Sequence, residues 1–198
     1  MYGQAGPVPI RWELPADHDA VARLHAAAFG DDAVPRLVEV LRTAAAPMAP
    51  RSCVAVLDPA AGGTGEVVGH DVMLTAARLD ARERLVDVLV LSPLAVLPQQ
   101  QRRGIGSDLV RHALELAAPV VPLLFVEGDP GYYGARGFER ADTLGFRAPS
   151  LRIPPAAFQV ARLPRWQPWM TGTLVYSEPF WALDLVGLRD PRLAERGA

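Results

Sequence analysis

A chain of 198 residues, half of them hydrophobic, carries enough apolar surface to bury the core of one domain and requires no second. Its formal net charge of -2 and pI near 6.1 exclude the broad basic footprint of a nucleic-acid binder, although local basic patches are compatible with them. Met1-Tyr2-Gly3-Gln4-Ala5-Gly6 lacks the charged and apolar blocks of a signal peptide, and no uninterrupted apolar run reaches membrane-spanning length. A cytoplasmic protein with no membrane partner is the resulting expectation.

All 20 basic residues are arginine, so chemistry through an internal lysine Schiff base or lysine self-acetylation is ruled out. The single cysteine, Cys53, lies in the apolar run Cys53-Val54-Ala55-Val56-Leu57 and reads as a buried thiol. His18, His25 and His112 fall in helical segments without a paired ligand spacing, so no metal is expected.

In chain order, Ile10–Leu14 reads as a short strand. Asp17 is placed to cap a helix running to Phe29, with Val21, Leu24 and Ala28 on one face. Pro35 suits the first turn of a second helix that ends near Ala46, before Pro47. Strands follow at Ser52–Leu57 and Glu66–Leu74, joined by a turn-rich loop, Asp58 to Gly65, of hairpin length. After a polar turn at Asp80–Glu83 comes a third run, Arg84–Pro98, which completes an antiparallel meander. Ser92-Pro93 interrupts that run. Proline has no N–H for the ladder, so the strand is expected to bulge or leave a neighbour there.

A helix at Ser107–Ala118 presents Leu109, Val110, Ala113, Leu114 and Ala117 on one stripe and stops at Pro119. A buried strand is expected at Val120–Val126, a turn at Gly128–Gly131, and a short helix at Tyr132–Arg136 closed by Gly137. Later strands are expected at Ala157–Leu163 and Thr171–Tyr176. Residues 1–182 are read as one domain and 183–198 as a C-terminal tail.

The most specific feature is Gln101-Arg102-Arg103-Gly104-Ile105-Gly106, set between an apolar strand and a helix start. Its glycines allow close approach to a ligand. The first helical N–H groups lack intrahelical acceptors and present the positive end of the helix dipole, which suits a phosphorylated cofactor. A dinucleotide fingerprint is disfavoured because Leu109 occupies the third glycine position, and a P-loop fails for want of lysine.

Leu94-Ala95-Val96-Leu97-Pro98 followed by this loop resembles the acetyl-CoA motif Q/R-x-x-G-x-G/A of the GNAT superfamily of acetyl-coenzyme A-dependent N-acetyltransferases. Tyr133-Gly134-Ala135-Arg136-Gly137-Phe138 resembles the later Y-x-x-x-G-F segment of the same proteins. The resemblance covers roughly residues 8–180 and is weakest before 84 and after 140. Gly128-Asp129-Pro130 and Gly172–Tyr176 look most like small, largely uncharacterised bacterial members.

The resemblance implies an α/β (α+β) fold with a mixed, mostly antiparallel central sheet splayed at the acetyl-CoA site and flanked by helices. It implies acetyl-CoA as cosubstrate and transfer of acetyl to a primary amine of a small molecule or protein N-terminus by direct attack. The main chain of Leu94, Ala95 and Val96 would hold the pantetheine arm and acetyl carbonyl. Val96 N–H is the candidate oxyanion donor, a role that can contribute roughly 3–4 kcal/mol. The pyrophosphate would lie on the N–H groups of Arg102, Arg103, Gly104, Ile105, Gly106 and Ser107, with either arginine adding charge at the rim, and Gln101 is the cofactor-binding residue that opens the motif.

Tyr133 resembles the general acid toward the departing thiolate, whereas Tyr132 is expected to pack. With a thiol near 8.5 and tyrosine near 10, full proton transfer is uphill by about 2 kcal/mol, so hydrogen bonding to developing charge is the better description. The base that frees the amine is left open among Glu83, Asp87, Glu127 and His70. Phe29, Gly30, Asp31 and Asp32, or the aromatic group Trp166, Trp169, Tyr176, Phe180 and Trp181, are candidates to line the acceptor side, with core packing the preferred reading of the aromatics. A catalytically weak acyl-CoA-binding regulatory module is the competing function, and homodimerisation is left open.

Overall fold

The computed structural model describes residues 8–44, 51–57 and 65–187. β1 (Ile10–Trp12) pairs antiparallel with β2 (Arg51–Leu57), and β2 with β3 (Glu66–Ala81). Most of the expected hairpin loop, 58–64, lies outside the described residues. β3 is 16 residues long and runs through Asp80 and Ala81, where the sequence suggests a turn. The cause is tertiary. β10 (Gly172–Val175) pairs with positions 78–81 and satisfies backbone groups that a turn would have left to water.

The run from Arg84 divides into β4 (Leu85–Leu91) and β5 (Leu94–Val96), as the Ser92-Pro93 interruption predicts. Both stay antiparallel on β3. On its other edge β4 pairs parallel with β6 (Leu123–Glu127) only at Leu89–Leu124 and Val90–Phe125. Past that point the strands part, because β5 follows β3 and not β6. The sheet continues from β6 to β9 (Phe158–Arg162) and β7 (Glu139–Arg140), while β8 (Phe146–Arg147) lies parallel to β10.

Strand alternation sorts the side chains into two cores. On one face α1 (His18–Phe29), α2 (Ala33–Thr43) and α5 (Glu178–Ala182) cover Val54, Leu79, Val88, Val90 and Phe125. On the other α3 (Ile105–Ala117) packs Val110, Ala113 and Ala117 on Leu74, Leu89, Leu91 and Leu124. The helix begins two residues earlier than its stripe suggested, because buried Ile105 packs with Leu109 on Val68 and Val96. α4 (Pro130–Gly134) is capped by Asp129, whose side chain accepts from Tyr132 N–H.

Asp17 departs from expectation. It sits at the N-cap of α1, but its carboxylate accepts from Leu14 N–H at 2.7 Å and from the Arg11 guanidinium at 2.6 and 2.9 Å, so it ties β1 to the helix entry. Cys53 is buried. Beyond Leu183, Val186 is buried and Leu183 and Leu185 pack on the core, so the described part of the expected tail, 183–187, is packed on the domain.

Candidate active site

The loop before α3 turns through two left-handed residues, Arg102 at φ 60° and Gly104 at φ 91°, the latter a conformation that glycine adopts without steric cost. Ser107 and Asp108 N–H groups both donate to the Gly104 carbonyl, at 2.9 and 3.0 Å. Among the described residues, the N–H groups of 102–106 meet no backbone acceptor and form the open donor row. Gln101 ties the loop to β5 by donating from Nε2 to the Val96 carbonyl at 3.1 Å.

Leu97 N–H donates to the Val68 carbonyl at 2.9 Å. Successive residues of a strand turn their N–H groups to opposite sides, so Val96 N–H, and with it Leu94 N–H, is directed away from β3 toward the parted edge. That edge of β5 has no strand partner among the described residues.

Loop, strand and helix start enclose a cavity of about 580 Å³, within the ordinary range for small-molecule sites. Of the expected cofactor residues, Leu94, Ala95, Val96, Gln101, Arg102, Gly104, Gly106 and Ser107 line it, with Gln100 beside them. Two are directed elsewhere. Arg103 is exposed and donates to Gln100, and Ile105 points into the core. Ala28 and Phe29 at the end of α1 supply the opposite wall.

Tyr132 and Arg136 complete the lining, and sequence reasoning had assigned neither to it. The Tyr132 hydroxyl lies against Gly106, where any side chain would collide with it. Arg136 stacks on the Tyr132 ring at 3.6 Å and donates to Ser107 Oγ at 2.6 and 3.1 Å. The available signal was the spacing from Tyr132 to Arg136, which places both on one side of a helical turn. Tyr133 is not part of this lining. Its ring lies against the Gly128 backbone and meets Phe138 edge-on at 5.7 Å, and burial, with Tyr132 beside it, raises its pKa above the ordinary tyrosine value.

The four candidate bases are not brought together. Glu83 and Asp87 are exposed, Asp87 lying 3.7 Å from Arg78. Glu127 is half-buried at the end of β6, accepts from the Tyr176 hydroxyl, and is pushed up to about 7 by burial, against the opposing hydrogen bonds of Tyr176 and Gly187 N–H. Of the aromatic group, Tyr176 and Phe180 are buried and Trp166 and Trp169 pack against the same core, so core packing holds for these four. Asp31 accepts from Ala33 N–H at the start of α2.

His70 is fully buried in a network that no local pattern signals. His25 Nε2 lies 2.8 Å from His70 Nδ1, and Ser52 Oγ lies 2.7 Å from His70 Nε2. Glu13 Oε2 is 3.8 Å from that nitrogen, and its other oxygen is bonded by Arg42. Burial lowers His25 to about 3, assisted by His70 and Arg42. Burial also lowers His70, against the opposing pull of Glu13. Burial opposes ionisation of Glu13 as well, but His70 and Arg42 hold it at about 2.

These shifts have a consequence for stability in acid. Histidines held neutral in the fold contribute fully above their unfolded value of about 6.5 and lose that contribution as pH falls toward 3; Glu13 adds a loss between about 4.5 and 2. Glu127 acts oppositely, contributing below about 4.5 and losing its share as pH rises through 7. The urea midpoint is therefore expected to fall from pH 7 to pH 5, and the fall to be shallower in His25→Leu. An equal slope in the variant would remove the histidine pair as its cause.

Among the described residues there is no cluster of three or more potential metal ligands and no helix long and apolar enough to cross a membrane. Fold and cavity define an α+β domain whose open, largely antiparallel sheet parts at one point beside a helix-capped donor loop. The sequence model described as the Acetyltransferase (GNAT) family matches residues 19–138, more than half of the chain. The chain belongs to that family.

It is 36% identical over 87 residues to an uncharacterized N-acetyltransferase, YjhQ, of Escherichia coli strain K12. That match takes in 43% of this chain and 48% of YjhQ, about half the relative's length. Among solved structures it is similar to the GNAT family N-acetyltransferase YhbS of Escherichia coli in complex with CoA (TM-score 0.73, 26% identity, 91% of this chain and 95% of that one). A GNAT family acetyltransferase of Brucella melitensis in complex with acetyl-CoA gives a TM-score of 0.66 at 26% identity over 89% of this chain and 99% of that one.

Proposed function

We propose that this protein transfers an acetyl group from acetyl-CoA to a primary amine of a small molecule or a protein N-terminus. The carrying observation is the convergence of two backbone-donor surfaces, the 102–106 loop and the free edge of β5, on one cavity. The CoA and acetyl-CoA complexes of the similar Escherichia coli and Brucella melitensis proteins support the same cosubstrate here.

In this reading the pyrophosphate is received by the open main-chain N–H groups of residues 102–106, with the Arg102 side chain at the rim and Arg136 behind Ser107. The pantetheine arm extends along Leu94, Ala95 and Val96, and Val96 N–H stabilises the oxyanion as the amine attacks the thioester carbonyl. The C–N bond forms, the C–S bond breaks, and the departing thiolate accepts a hydrogen bond from Tyr133. No covalent enzyme intermediate is needed.

Incubation with acetyl-CoA and n-butylamine, spermidine and an alanyl dipeptide, followed by free-thiol detection, is expected to show amine-dependent release of CoA. Tight calorimetric binding of CoA with no turnover on any of these amines would overturn the reading in favour of an acyl-CoA-binding regulatory module.

A further inference from the structure

The cofactor loop, β5 and α3 account for one side of the parted sheet and leave a half-buried acid, Glu127, on the other. β4 and β6 last pair at Leu89–Leu124 and Val90–Phe125. Two residues past the last pair come Ser92, just beyond the end of β4, and Glu127, the last residue of β6. Val126 packs on the α3 face. By alternation Glu127 projects to the opposite face, where its partner Tyr176 is buried among Val88, Val90 and Phe125. Register and alternation therefore put this carboxylate on the β6 side of the gap whose other side is the edge of β5, just outside the residues that line the cofactor cavity.

Its surroundings are sparse in charge. The Tyr176 hydroxyl and Gly187 N–H donate to it, and Arg152, the nearby cation, is itself paired with Asp184 at 2.5 Å. Glu127 as a residue is only partly buried, at the end of its strand. Glu83 and Asp87 are exposed and His70 lies beneath α1, none at the mouth of the gap.

We infer that Glu127, oriented by the Tyr176 hydroxyl, binds the cationic acceptor amine and takes its proton before the neutral nitrogen attacks the thioester. This rests on the acetyltransferase reading. One ammonium N–H bond breaks and an O–H bond forms on Glu127; the nitrogen lone pair then forms the C–N bond as the C–S bond breaks, the second proton shed by that nitrogen passes to the departing thiolate to give free CoA thiol, and the carboxyl later releases its own proton to water. The acceptor class is a primary alkylamine, positively charged in solution, for which a half-buried carboxylate between two donors is complementary. The shift of Glu127 toward neutrality agrees with this role, since a base works best near the operating pH.

With acetyl-CoA and whichever amine of the panel is turned over, Glu127→Gln is expected to lower kcat about a hundredfold with CoA affinity unchanged. The wild-type kcat should rise with pH through a limb near 7; that limb should move upward in Tyr176→Phe and vanish in Glu127→Gln. A Glu127→Gln enzyme within threefold of wild type and with the same limb overturns the inference. As a readout independent of turnover, the Glu127 carboxyl carbon, assigned in labelled protein by its loss in Glu127→Gln, is expected to shift on titration with n-butylamine in the presence of CoA. If it does not move, the inference fails whatever the turnover. If it moves while no amine is acetylated, the amine site stands and the acetyltransferase reading falls.

Discussion

Replacing Tyr133 by phenylalanine is expected to lower kcat for CoA release by about 10²–10³-fold, with CoA affinity and melting temperature close to wild type. The substitution removes one hydroxyl and keeps the ring that fills the space between Gly128 and Phe138. Burial holds the phenol protonated well above neutral pH, so it is a hydrogen-bond donor throughout the working range. In the proposed reaction this hydroxyl donates to the leaving thiolate, an interaction made in the transition state and not in the ground state, so its loss is expected in kcat.

Tyr132→Phe is the informative companion. Tyr132 lines the cavity beside Gly106 and Ser107 and beneath Arg136, so its loss is expected to raise KM for acetyl-CoA a few-fold with little change in kcat. A large kcat loss in Tyr132→Phe with none in Tyr133→Phe would reverse the two assignments.

Gly172→Ala is expected to destabilise the fold by about 3 kcal/mol, lowering Tm by about 6–12 °C in a scanning experiment. Gly172 opens β10 at φ 154°, paired on one side with Ala81 and on the other with Phe146. A β-carbon there would stand 2.8 Å from the Asp80 carbonyl carbon and 3.0 Å from Ala81 Cα. Those are backbone atoms of the long central strand, which no rotamer change can move aside. Relief would require β10 to draw away from β3, taking Leu174 and Tyr176 with it and withdrawing the hydroxyl that holds Glu127. An unchanged Tm would show that the β3–β10 junction has more freedom than this geometry allows.

The parts of the fold that could be read in advance are those set by short-range rules. The stripe from Leu109 to Ala117 identifies α3 because burial of one helical face is written at a spacing of three and four residues. Ser92-Pro93 marks the parting of the sheet because a residue without an N–H cannot continue a ladder. The donor loop is legible because glycines and a helix start leave backbone N–H groups unpaired whatever lies around them. β7 and β8, of two residues each, and α5, of five, are too short to show a period, and packing from elsewhere holds them.

The sequence by itself determined the donor loop and the strand end beside it, because backbone donors and hydrophobic periodicity are local properties, and its two motifs carried the resemblance to the family. Only the tertiary structure decided which tyrosine faces the cavity, that β3 runs on to meet β10, and that Tyr176 reaches Glu127. It also brought His25, His70, Ser52 and Glu13 together. Each of these joins residues distant in the chain, and their meeting depends on how the faces of one sheet are covered, which no window of neighbouring residues contains. The acid across the strand gap was already visible as a residue; its burial, its partner and its side of the sheet came from the fold.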